Sequence, residues 1–116
     1  MEKTRILHNP RCSKSRQTLE LLQQRGIEAE VVEYLQTPPM AAELQQILTL
    51  LGLEPRALMR QDEDDYRTLQ LDRPDLSREQ LIAAMVEHPR LIQRPIVIRG
   101  NKAAIGRPPE AVLDIL

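Results

Sequence analysis

An α/β fold, a four-stranded mixed sheet with an inserted helical region, follows from three features of the sequence. The first 35 residues run strand, helix, strand, which is the pattern of a βαβ unit. The middle of the chain carries its apolar residues at helical spacing. The last third then changes period, giving two short strands and a closing helix. A chain of 116 residues suits one domain, spanning 1–116, and leaves no room for a second core.

Residues 5–7, with His8 at their end, form the first strand, and the turn dipeptide Asn9–Pro10 stops it. From Ser13 the pattern becomes helical, with Leu19, Leu21 and Leu22 on one side and Gly26 as the stop. "IEAEVVEYL" (27–35) alternates and is rich in β-branched residues, so it is the second strand, reached by a right-handed crossover. Thr37–Pro38–Pro39 announces another helix, because a proline in the first turn lacks only an N–H that would have had no partner. Leu44, Ile47, Leu48 and Leu51 form its apolar stripe and Gly52 ends it. A short helical piece is expected at 54–60, and the acidic "QDEDDYRTL" reads as an exposed turn and short helix. Ser77, with Gln80 three residues on, opens a capping box. Leu81, Ile82, Met85 and Val86 follow at helical spacing, and His88–Pro89 closes that helix. "PIVIR" and "KAAIG" are strands joined by Gly100–Asn101, a hairpin signal. Pro108–Pro109 starts the final helix, "PPEAVLDIL". The order βαβ, helices, ββα is that of thioredoxin-like folds.

Composition narrows the function. Phe and Trp are absent and Tyr34 and Tyr66 are the only aromatic residues, so the core is aliphatic. Single-stranded nucleic acid, which is bound on stacking platforms, is a poor fit. A net charge of −1 with interspersed signs predicts no broad attraction to nucleic acid or membrane. "MEKTRILHNPR" has no apolar stretch of signal-peptide length, and no run approaches a membrane span. A single cysteine excludes an internal disulfide, and the expected place is the cytoplasm, where free thiols persist. No interface stretch stands out, so a monomer is expected. One Cys and two distant His residues lack metal-ligand spacing, and Asp62–Asp65 lacks the glycine and spacing of a calcium loop.

The chemistry gathers at "HNPRCSKSR" (8–16), around the one cysteine. A lone cysteine in a small domain is ordinarily a buried small hydrophobe. Cys12 instead precedes a helix, whose unpaired N–H groups and dipole favour negative charge, and Arg11, Lys14 and Arg16 are close in sequence. Such surroundings lower the pKa of a thiol from about 8.5 and produce the reactive thiolate. His8 ends the strand leading into the loop, where it either faces the sulfur or, as such a residue more often does, is a satisfied strand-end side chain, and Ser15 is placed to hydrogen-bond the thiolate. The same N–H groups suit a tetrahedral oxyanion above the sulfur. Arg60, Arg94 and Arg107 add guanidinium forks of the kind that bind oxyanions at several points, and two of them precede a proline at an element boundary. Taken singly, each reads first as a solvated surface arginine. His88 reads as a cation at a helix C-terminus.

"LHNPRCSKSRQTLELL", "YLQTPP", "RALMR", "HPRLIQRPIV" and "GRPPEAVLDIL", in this order and spacing from Ile6 to the last residue, resemble the glutaredoxin-coupled ArsC family of arsenate reductases and its short bacterial relatives. The resemblance implies a thioredoxin-like fold with an inserted helical region. It implies that Cys12 attacks arsenate, that glutathione attacks the adduct as co-substrate, and that glutaredoxin completes reduction to arsenite, with no bound cofactor. It gives Arg60, Arg94 and Arg107 the role of binding the oxyanion and His8 that of lowering the cysteine pKa. It makes Pro95 the proline held in the cis form beside the site. Two other classes share parts of this pattern. One is the Spx type of regulator, which binds RNA polymerase and often carries Cys-x-x-Cys where this chain has Cys12 and Ser15. The other is a monothiol glutathione-handling protein, which needs no arginine triad.

Overall fold

The computed structural model describes residues 3–116, which divide into two compact units. The first is the chain through Thr37 together with Arg94–Leu116; the second is Pro38–Gln93.

The first unit holds the sheet. Strands β1 (Thr4–His8), β2 (Ala29–Glu33), β3 (Ile96–Arg99) and β4 (Lys102–Ile105) lie in the order β2-β1-β3-β4. β1 pairs with β2 in parallel, Ile6 opposite Val31, and with β3 antiparallel, Ile6 opposite Val97. β3 and β4 form the expected hairpin across Gly100–Asn101, with Arg99 opposite Lys102. Helix α1 (Ser13–Gln24) joins β1 to β2. Ile6, Leu22, Val97 and Val112 are fully buried together, with Leu19, Leu21, Ile27, Ala29, Ala104 and Ile115 packed around them. Side chains two apart on a strand share a face, so His8 lies on the same face of β1 as Ile6, the face that α1 covers. That register aims His8 at the first turn of α1.

β2 is shorter than the 27–35 expected from alternation. Its partner β1 offers only Thr4–His8, so the ladder ends where those five residues do. Gly26 and Ile27 instead close α1 by bonding back to Gln23 and Leu22, and Gln36 and Thr37 turn back onto Glu33. The final helix, Pro109–Ile115, is 3₁₀ throughout. Pro109, Val112 and Ile115 recur every three residues, which matches three residues per turn and keeps all three on the inner side.

The second unit is helical: α2 (Ala41–Leu51), α3 (Pro55–Leu58), α4 (Asp64–Thr68) and α5 (Arg78–Glu87), then a 3₁₀ turn at Pro89–Leu91. Leu44, Ile47, Leu48, Leu58, Met59, Leu71, Leu81, Ile82, Met85, Leu91 and Ile92 are its buried aliphatic residues. Pro38 and Pro39 precede α2 rather than occupying its first turn, and Met40 is the N-cap. The residue before a proline is driven to extended backbone, which holds Thr37 and Pro38 out of the helix. Gly52 ends α2 in the left-handed conformation at φ 68°. The capping box at the start of α5 is fully formed: the Gln80 N–H donates to Ser77 Oγ and the Ser77 N–H donates to the Gln80 side chain.

Candidate active site

Cys12 is the N-cap residue of α1, half-buried, with extended backbone at φ −97° and ψ 123°. The loop that delivers it is tied down by Asn9. The Asn9 carbonyl accepts from the Cys12 N–H (3.0 Å), its Oδ1 accepts from the Arg11 N–H (3.0 Å), and its own N–H donates to Ser15 Oγ (3.0 Å). This is an Asx turn grafted onto a helix start, and Asn9 is buried to make it. In the sequence Asn9 read only as the end of a strand; an Asn–Pro pair three residues before a helix-capping cysteine was the available signal.

Partial burial pushes the Cys12 thiol up, but the opposing groups outweigh it and its pKa is lowered. Those groups are the Ser15 N–H, the Arg94 guanidinium by hydrogen bond and charge, and the Lys14 N–H. The N–H groups make no capping hydrogen bond of good geometry to the side chain, yet they point at the sulfur and favour its charge. The cations adjacent in sequence do not act on it. Arg11 and Lys14 are exposed, and Arg16 donates Nη1 to the Pro10 carbonyl at 2.8 Å, bracing the loop instead.

Ser15 reaches the sulfur through its backbone rather than its hydroxyl. The hydroxyl, fully buried, shares a 2.6 Å hydrogen bond with His8 Nδ1 and accepts from Asn9. Burial, assisted by Arg16 and opposed in part by Glu33, lowers the pKa of His8, so at neutral pH its ring is uncharged. His8 is thus not among the groups that lower the thiol pKa; its hydrogen bond goes to the Ser15 hydroxyl. Strand β1, the loop and the first turn of α1 are locked into one polar network.

Arg94 and Arg107 belong to the same unit as Cys12 and flank the β3–β4 hairpin at its open end, opposite the Gly100–Asn101 turn. The Arg107 Nη1 donates to the Arg94 carbonyl at 3.3 Å, which ties the two together. Each precedes a cis proline, Arg94–Pro95 and Arg107–Pro108. The second cis bond carried no signal beyond an X-Pro pair. Gly106 lets these segments meet α1: a Cβ there would stand 2.5 Å from Thr18 Oγ1 and 2.8 Å from Pro95 Cγ. Arg60 belongs to the second unit. Its N–H donates to the Leu91 carbonyl, beside the bridge of Met59 to Ile92, and its Nη1 donates to Glu63 Oε1 at 2.6 Å. Glu63, unmarked in the sequence within an acidic run, is thus the partner of one of the predicted arginines. The structure as a whole offers a polarised thiol, a guanidinium on it and helix N–H groups around it. Such a centre can attack an electrophile and hold the negative oxygens of the adduct.

Comparison with known proteins agrees. The ArsC family matches residues 7–115. An arsenate reductase of Neisseria meningitidis serogroup A is 50% identical over 117 residues, covering 100% of both chains. The uncharacterized protein YfgD of Escherichia coli K12 is 55% identical over 116 residues, covering 99% of this chain and 98% of its own. The solved structure of an arsenate reductase from Vibrio cholerae superposes with a TM-score of 0.97 at 51% identity, covering 99% of this chain and 98% of that one.

Proposed function

Because the chain belongs to the ArsC family, we propose that it is an arsenate reductase coupled to glutathione and glutaredoxin. The observation that carries the reading is the Cys12 thiol at the N-terminus of α1, its pKa lowered against burial by Arg94 and two helix N–H groups. The thiolate attacks the arsenic of arsenate, a hydroxyl leaves as water, and a cysteine–arsenate adduct forms. Arg94 and Arg107 hold its oxygens, and Arg60 carries the same oxyanion-binding role by family resemblance. His8 and Ser15 keep the loop and the helix start in register behind the sulfur, and Pro95 shapes the edge beside it. Glutathione then displaces a second hydroxyl, leaving arsenic between two sulfurs. A glutaredoxin thiolate attacks the glutathione sulfur, forming a mixed disulfide. The electron pair of the broken sulfur–arsenic bond stays on arsenic, which becomes As(III). Hydrolysis releases arsenite and returns Cys12. External thiols are required because Cys12 is the only cysteine.

This chemistry needs a reducing compartment, so we place the protein in the cytoplasm, acting as a monomer. Among the described residues no helix is long and apolar enough to cross a membrane. The test is arsenate-dependent NADPH oxidation with glutathione, glutaredoxin and glutathione reductase. Turnover is expected in the wild type, abolished in Cys12→Ser and strongly reduced in Arg94→Ala and Arg60→Ala. No turnover in the wild type, or turnover surviving Cys12→Ser, would overturn the proposal.

A further inference from the structure

Arg60 is already paired. Its Nη1 donates to Glu63 Oε1 at 2.6 Å, with the two side chains only 19% and 25% exposed. One turn holds both residues, since the Arg60 carbonyl accepts from the Glu63 N–H at 3.2 Å, while the Arg60 N–H is anchored on Leu91. The two acids that follow Glu63 are engaged elsewhere. Asp64 pairs with Arg67, and Asp65 faces His88 and Arg90. Glu63 turns to Arg60 instead. As N-cap of the five-residue α4 it makes no side-chain capping bond, so helix capping does not account for its orientation.

A guanidinium with a carboxylate at hydrogen-bonding distance offers an incoming anion little net charge, and part of its donor fork is taken. We propose that Glu63 is a specificity-determining carboxylate, the resting occupant of Arg60 that an oxyanion must displace. The inference rests on the oxyanion-binding role of Arg60 in the reading above. Glu63 then sets a threshold: only an anion that binds the fork better than a tethered carboxylate is retained, and the returning carboxylate promotes release.

The experiment compares the wild type with Glu63→Gln, which keeps an acceptor for Arg60 but removes the charge. Binding of inorganic phosphate, as a non-reacting tetrahedral probe, is measured by calorimetry, and arsenate KM and kcat by the coupled assay. Removing one neighbouring charge near the surface is expected to tighten phosphate binding and lower KM by roughly threefold to tenfold, with kcat no higher than in the wild type because release is no longer assisted. In an Arg60→Ala background the same change is expected to lose most of this gain. Thermal unfolding reports whether each variant is folded. Unchanged or weaker phosphate binding in folded Glu63→Gln, or no measurable binding by either form, overturns the inference and leaves the pair a structural one. Absent arsenate turnover combined with tighter phosphate binding in Glu63→Gln keeps this inference and removes the reductase reading, so the two failures are distinguishable.

Discussion

Replacing Gly106 with alanine tests whether the β4 end and α1 must approach as closely as they do. The φ of Gly106 is outside the left-handed region, so an alanine there meets no backbone penalty. In open space Gly106→Ala would stabilise the protein by about 0.4–1 kcal/mol, through a less flexible unfolded chain. The space is not open. A Cβ would stand 2.5 Å from Thr18 Oγ1, 3.2 Å from Thr18 Cγ2 and 2.8 Å from Pro95 Cγ. Neither neighbour can give cheaply. Thr18 is fully buried with its hydroxyl donating to the Lys14 carbonyl at 2.8 Å, and the Pro95 ring is buried. Overpacking of this kind costs about 1–3 kcal/mol, which exceeds the entropic gain and reverses the sign. For a domain of this size the expected fall in Tm is several degrees, on the order of 3–6 °C per kcal/mol. The strain also bears on α1 behind Cys12 and on the Arg94–Pro95 segment, so the thiol should lose part of its contact with Arg94. Thermal unfolding by circular dichroism reads the first effect, and the pH profile of iodoacetamide alkylation of Cys12 reads the second, as an upward shift. Thr18→Ala, which removes both threonine atoms from the contact, should recover part of the lost stability in the double variant. A Gly106→Ala protein that melts at or above the wild-type temperature and alkylates with an unchanged profile refutes this account of the packing.

Arg94→Met keeps the aliphatic stem and removes the charge, so the Cys12 pKa is expected to rise and alkylation at neutral pH to slow several-fold. Because the folded thiol titrates below its unfolded value, thiolate stabilisation is fully present above about pH 8.5 and is lost as pH falls through the folded pKa; the stability difference between wild type and Cys12→Ser, followed by urea unfolding, should grow with pH across that window. Ser15→Ala leaves His8 Nδ1 and the Asn9 N–H without their buried partner and should cost about 1–3 kcal/mol in the same urea experiment; a loss below a few tenths would show that the network is dispensable. Ser77→Ala opens the capping box of α5 and should cost about 1 kcal/mol with arsenate turnover unaltered, whereas a large activity loss would mean that α5 bears on the chemistry.

Much of this molecule is written in short runs of residues, because the forces that start and stop regular elements act over a few positions. Ser77 and Gln80 cap α5 across one turn, Gly100–Asn101 closes the β3–β4 hairpin, and Gly52 ends α2, each a local device visible in order along the chain. Cys12 at the start of α1 is of the same kind, and the N–H groups that favour its charge come from its own helix. The boundaries that departed from expectation departed through partners. β2 is cut to the length of β1, and the last helix takes the 3₁₀ form that presents Pro109, Val112 and Ile115 to one side.

The tertiary structure alone decided which cation acts on the sulfur. Arg11, Lys14 and Arg16 crowd Cys12 in the sequence, but exposed side chains at a helix start turn to water or, as with Arg16, to the loop carbonyl, while Arg94 arrives from before β3. The same holds for Ser15, whose spacing from Cys12 suggested a bond to the thiolate and whose hydroxyl serves His8 instead, because the register of β1 under α1 brings that ring within 2.6 Å. Charge and hydrogen bonding fall off within a few ångströms, so what a residue does depends on the neighbours that strand pairing and packing bring to it, and distance along the chain does not carry that information.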